Sequence, residues 1–257
     1  MAKRKNNNSF LKIVYFDEKS VLDYLDTIKE GRYEEVTKQV INKATKIAAE
    51  INSKNEGKIS IPYLVKSIFN ANGNVSVSRD KSSVLNTTLT NTILTTFLEK
   101  ENVKNTEKLE GYKLNIEKKS FTYLKIFTPI IRAFKIDQET DNIPVDLSIL
   151  DEVMESAKGY YEMIGTKRDK EVVMRFNLSG LRNNYRLNDL TKMNITLYGV
   201  CVGTCKKSDL WIENELGIDV QQDVNVLAEQ VTDINSNDQE ELKLYDILLA
   251  GVEKNAD

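Results

Sequence analysis

Ile195-Thr-Leu-Tyr-Gly-Val-Cys-Val-Gly203 is a run without a single charged side chain. It is rich in β-branched residues, and apolar side chains fall on both of its alternating faces, so it reads as a strand with a central, buried position in a sheet. Working outward from it, Val172 to Asn177 is a second strand. Tyr112 to Ile116 and Phe121 to Phe127 read as two more, the latter closed by Pro129, while Ile130 to Phe134 fits either state. Downstream, Leu242, Tyr245, Leu248, Leu249 and Val252 recur three and four apart, which predicts an amphipathic C-terminal helix over Glu240 to Val252. A further helix is expected over Asp146 to Lys158, preceded by Pro144 and stopped by Gly159.

The first half of the chain has its own signals. Phe10 to Phe16 reads as a strand, and Asp17 then caps a helix carrying Val21, Leu22, Leu25 and Ile28, with Gly31 as its stop. A second helix is expected from about Glu34 to Asn52, and strands between Lys58 and Ser78 around the turn dipeptide Asn72-Gly73. From Asp80 to Leu98, Leu85, Leu89, Ile93 and Phe97 recur at fours, and that periodicity outweighs the poor helix propensity of the many threonines. The expected class is therefore α+β, with helices and mainly antiparallel strands. A disordered basic tail is expected over residues 1–9, a helix-rich part over 10–105 and a C-terminal part over 106–257, with the two parts able to form one continuous domain.

At 257 residues with 40% of them hydrophobic, the chain can bury a substantial core. Its longest uncharged apolar stretches fall well short of the roughly 20 residues a spanning helix needs, and no secretory signal is evident, so a cytoplasmic location is expected. Charge is unevenly spread. Residues 158–207 carry ten Lys or Arg against four Asp or Glu, and residues 208–257 carry two against thirteen.

There is no histidine anywhere. This excludes Ser-His-Asp and Cys-His catalysis and histidine-ligated zinc, leaving carboxylates, Lys, Tyr and Mg²⁺ as routes to chemistry. Cys201 and Cys205 cannot complete a tetrahedral zinc site alone and are expected to be buried strand cysteines. The stretch from Gly199 to Ser208 ends in Lys207-Ser208 like a phosphate loop but lacks the glycine before that lysine. Asp17, Glu18 and Asp23 lie within one cap and helix, where a Mg²⁺-dependent hydrolase would place its ligands and helix capping accounts for the same residues without a metal. No metal and no cofactor is expected. The remaining cluster is Arg175 and Asn177, followed by Arg182, Asn184, Tyr185 and Arg186. Guanidinium forks, amides and an aromatic ring together suit either a protein partner, the chain's own acidic region or a nucleic acid.

Ile13-Val-Tyr-Phe-Asp-Glu-Lys-Ser-Val-Leu-Asp-Tyr-Leu25, Ala157-Lys-Gly-Tyr-Tyr-Glu-Met-Ile-Gly165, Met174-Arg-Phe-Asn177, Arg182-Asn-Asn-Tyr185, Asp189-Leu-Thr-Lys-Met193 and Tyr198-Gly-Val-Cys-Val-Gly203 together resemble a bacterial family catalogued as a domain of unknown function, DUF6414. The resemblance runs from Phe10 to Gly203 or beyond. It implies a bacterial cytoplasmic protein associated with antiviral defence, in at least one setting beside a ClpB-like chaperone ATPase. It brings no catalytic residues with it. The functional expectation is a non-enzymatic interaction protein acting with an ATPase partner, with nucleic-acid binding and a Mg²⁺-dependent hydrolase as alternatives.

Overall fold

The computed structural model describes residues 10–28, 42, 90–99, 103–131, 154, 158–217 and 240–253. The expected helix over residues 34–52, Asn42 apart, the strands over 58–78, the first turns of the helix starting at residue 80 and the helix over 146–158, Met154 and Lys158 apart, lie outside the described residues. The chain divides into two units, one containing Asp17–Asn105 and the other Ser9–Phe16 with Thr106–Asp257.

In the first unit, helix α1 spans Glu18–Ile28. Asp17 starts it, as expected: its carboxylate accepts hydrogen bonds from the Ser20 backbone N–H at 3.2 Å and from the Ser20 hydroxyl at 3.0 Å. Val21 and Leu25, one turn apart, are buried. The described part of helix α2, residues 90–97, buries Ile93 and Phe97, and the Phe97 ring meets Tyr24 edge-on with centroids 6.0 Å apart.

The second unit is organised by one sheet of seven strands: β1 (Phe10–Phe16), β2 (Glu107–Leu109), β3 (Lys113–Asn115), β4 (Tyr160–Lys167), β5 (Lys170–Asn177), β6 (Thr196–Lys206) and β7 (Glu241–Glu253). Their spatial order is β2-β6-β7-β5-β4-β3, with β1 also paired to β7. Among the described strand pairs only β5–β7 is parallel. The class is α+β.

Two elements differ from the sequence reading. The expected C-terminal helix is strand β7, and it occupies the middle of the sheet. β6 runs along one of its edges, from Lys206 opposite Glu241 to Thr196 opposite Gly251. Its other edge is shared, β5 pairing with Lys243–Asp246 and β1 with Leu249–Glu253. A strand covered on both faces is apolar at nearly every position, so helical spacings can be picked out of it without meaning. Conversely, Phe121 to Phe127 is not a strand but the first two turns of helix α3, Phe121–Ile131. Its determinant is Ser120, whose hydroxyl accepts from the Tyr123 backbone N–H at 3.2 Å and donates to the Glu117 carbonyl at 2.6 Å.

The expected central strand is β6, and it is buried only in part. Leu197 to Gly199 lie between β7 and β2, but β2 ends there, and Cys201 to Thr204 are exposed. Among the described residues no strand pairs with the outer edge of Val200 to Lys206. The pairing with β7 also slips at Val202, which is left bulged between Cys201 opposite Tyr245 and Gly203 opposite Leu244.

The larger core lies on one face of the sheet, where Tyr161, Met163, Met174, Phe176 and Tyr245 pack together. The opposite face carries a smaller cluster of Ile164, Val173, Leu210 and Leu242. Beyond β5, a 3₁₀ turn at Leu178–Gly180 brings the chain back along the outer edge of β1. There Leu181 bridges to Tyr15, and the Arg182 N–H donates to the Val14 carbonyl at 2.9 Å.

Candidate interaction surface

The six residues singled out from the sequence do not form one constellation. Arg175 points from β5 onto the face of the smaller cluster, where its Nε donates to Asp246 Oδ1 on β7 at 2.6 Å and its guanidinium lies 5.5 Å from the Tyr160 ring centroid. That hydrogen bond and charge raise the guanidinium's pKa above its ordinary value, burial opposing them in part. Glu162, paired with Arg175 across β4 and β5, has its carboxyl raised, chiefly because it is buried. It is partnered by Lys158 at 2.7 Å, and the same ammonium reaches Glu215. Every charge in this row has an opposite, so Arg175 serves the sheet before any ligand.

Asn177 caps the 3₁₀ turn: its Oδ1 accepts from the Ser179 backbone N–H at 3.0 Å and from the Ser179 hydroxyl at 2.8 Å. The other four lie on the run beside β1. Arg182 donates through Nη2 to the Phe16 carbonyl at 3.3 Å and stacks its guanidinium 5.8 Å from the Phe16 ring centroid. Tyr185 packs against the larger core and holds the Lys12 ammonium 4.9 Å over its ring. Asn183 and Asn184 take positive φ, 55° and 61°, turning the chain so that Asn184 and Arg186 are exposed. Two of the six therefore face solvent, Arg182 and Tyr185 hold the run to β1 and the core, Asn177 caps the 3₁₀ turn and Arg175 ties β5 to β7.

The carboxylates considered for Mg²⁺ do not converge. Asp17 is buried and committed to its cap, Glu18 accepts from the Thr90 hydroxyl at 2.6 Å, and Asp23 is exposed. Among the described residues, no three His, Cys, Asp or Glu side chains are grouped to hold a metal ion. The cysteines also depart from expectation: Cys201 is exposed and Cys205 half-buried. Because Val202 is bulged, Cys201 pairs opposite Tyr245 and Cys205 opposite Leu242, three residues away, so the two thiols lie on opposite faces of the sheet.

The sequence reading missed an aromatic pair on α3. Tyr123 and Phe127, one turn apart, meet at a tilt of 51° with centroids 4.7 Å apart and remain 37% and 38% exposed. Phe121, Leu124 and Ile126 of the same helix pack against the larger core. The capping serine at 120 was the available signal, since a helix beginning there puts 123 and 127 together on the side away from 121 and 124.

The fold and this surface define an α+β protein built on a mixed sheet, with half-buried ion pairs on one face and exposed aromatic side chains on a flanking helix. The chain belongs to the family described as Domain of unknown function (DUF6414), which it matches over residues 10–253. No curated protein and no solved structure matches it. No described helix is long and apolar enough to cross a membrane.

Proposed function

We propose that this protein is a non-enzymatic interaction component of the bacterial cytoplasm, an accessory to an antiviral defence system that acts together with an ATPase partner of the ClpB-like kind. The setting comes from the family resemblance. The observation that carries the docking role is the Tyr123–Phe127 pair, because exposed, rigid aromatic side chains on a helix anchored to the core are what protein interfaces use as anchors. Affinity purification of the tagged wild-type chain from its native host is expected to recover an ATPase. Tyr123→Ser with Phe127→Ser is expected to reduce that recovery at least about tenfold while leaving the circular dichroism spectrum unchanged. Equal recovery by the folded double variant would remove the reading.

The second reading is nucleic-acid binding, and it rests on exposed Asn184 and Arg186 lying on the same run as Tyr185, whose ring carries the Lys12 ammonium of β1. It requires affinity that falls steeply with salt through counterion release.

A further inference from the structure

The turn between β4 and β5 holds charges that work against the fold and meet no anion in it. Lys167 and Lys170 are paired directly across the two strands, where like charges destabilise a ladder. Between them Arg168 takes a φ of 53°, a conformation that glycine or asparagine adopts in a two-residue turn at less cost. Lys243 on β7 is the partner of Val172, one row along the same sheet face from Lys170, and Lys113 on β3 is the partner of Thr166, the neighbour of Lys167. All five cations are exposed. The Lys167 ammonium bends back to the Glu110 carbonyl and lies 5.6 Å from the Tyr112 ring centroid, and among the described residues the other four have no ion-pair partner. The carboxylates nearby are mostly engaged. Glu110 pairs with Lys108 and Glu171 with Lys207, and Glu241 faces Lys206 across β7 and β6 while accepting from the Thr204 hydroxyl at 3.0 Å, which leaves Asp169 in the turn itself.

We infer that this end of the sheet binds the phosphate backbone of a nucleic-acid duplex, without regard to base sequence. Residue type selects the partner. Lysine is depleted from protein interfaces, which are built around aromatic and other large anchors, and no residue of the turn Lys167-Arg168-Asp169-Lys170 is apolar. Phosphates are met by Lys and Arg as charges, whatever the bases. A single strand is held by rings on which its bases stack, and Tyr112, beside the turn, is half-buried beneath the Lys167 ammonium. The site is independent of the aromatic pair on α3 and distinct from the run carrying Asn184 and Arg186. That run lies by Lys12, whose β7 partner Val252 is about 30 Å along the strand from Lys243.

Fluorescence anisotropy of labelled duplexes of unrelated sequence, titrated with the full chain, tests this. The wild type is expected to bind them alike and to lose roughly a hundredfold in affinity between about 50 and about 200 mM salt, as counterion release from about four phosphates requires. The combined variant Arg168→Gly, Lys170→Gln, Lys243→Gln is expected to bind at least about tenfold more weakly at the lower salt, with the salt slope reduced by about three. Its urea midpoint is expected to be no lower than that of the wild type, because the like-charge pair and the positive φ of a side-chain-bearing residue are both relieved. Arg186→Gln is expected to leave binding unchanged. A wild type that does not bind the duplexes, including one that binds only polyglutamate or anionic vesicles, would overturn the inference, as would a folded triple variant with the wild-type affinity and salt slope. A triple variant less stable than the wild type would assign these cations to the fold, and loss of binding in Arg186→Gln would move the contact to the run beside β1; either also overturns it.

Discussion

Gly251 sits on β7 where β1 passes closest: an added Cβ would lie 2.5 Å from the Lys12 carbonyl oxygen and 2.7 Å from the Phe10 ring. The obstacle is backbone held in the β1–β7 ladder, which cannot swing aside. Gly165 on β4 has an equally short contact, but its nearest neighbour at 2.6 Å is Met174 Cε, the end of a flexible side chain. Gly251→Ala is accordingly expected to cost about 2–3 kcal/mol and Gly165→Ala under about 1 kcal/mol. Urea denaturation of the two variants checks the order, and a larger loss at Gly165 would mean that the Met174 side chain, not the β1 crossing, is the rigid contact. Neither glycine announces its role in the sequence, because each obstacle comes from a strand remote from it along the chain or from packing across the sheet.

Among the elements, β6 makes the most direct chemical statement. Its bulge separates two thiols that spacing alone would place together. Burial, reinforced by the carboxylates of Asp209 and Glu162 against an opposing contribution from Arg175, pushes the Cys205 thiol up to about 11. At neutral pH Cys205 is therefore protonated and slow to alkylate. In a Cys201→Ser variant, its alkylation rate is expected to rise about tenfold per pH unit from pH 8 towards 10, following the thiolate fraction. A rate already level by pH 9 would contradict that environment. The same strand shows what could be read from sequence at this scale. Its existence followed from the uncharged, β-branched run, but its partial exposure did not, since that depends on where the three-residue strand β2 stops. β1, α1 and β5 were legible because a cap or a short β-rich run marks them locally. In α3 the aromatic and β-branched content outweighed a single capping serine.

Across the whole molecule, β7 is the strand on which the others depend. It holds β6 on one edge and both β5 and β1 on the other, so the sheet has no continuous path from β1 to β5 without it. A chain stopped after Glu240 is expected to lose cooperative unfolding of the sheet unit and to bind a hydrophobic dye, with near-ultraviolet dichroism as the check. Retention of a sharp transition would show that β4, β5 and β6 assemble without it. Of the candidate site, the sequence exposed the residue types but not their commitments. Arg175 could be recognised as a guanidinium fork, whereas its partner Asp246 lies 71 residues on, within the stretch that reads as a helix.

That dependence also sets a timetable. β1 leaves the ribosome early and its partner Leu249–Glu253 more than two hundred residues later, which at about 5–20 residues per second is a wait of roughly 10–50 s. For that interval the nascent chain carries Phe10–Phe16 without its β7 partner, so yield in a cell should depend on what shelters it during translation.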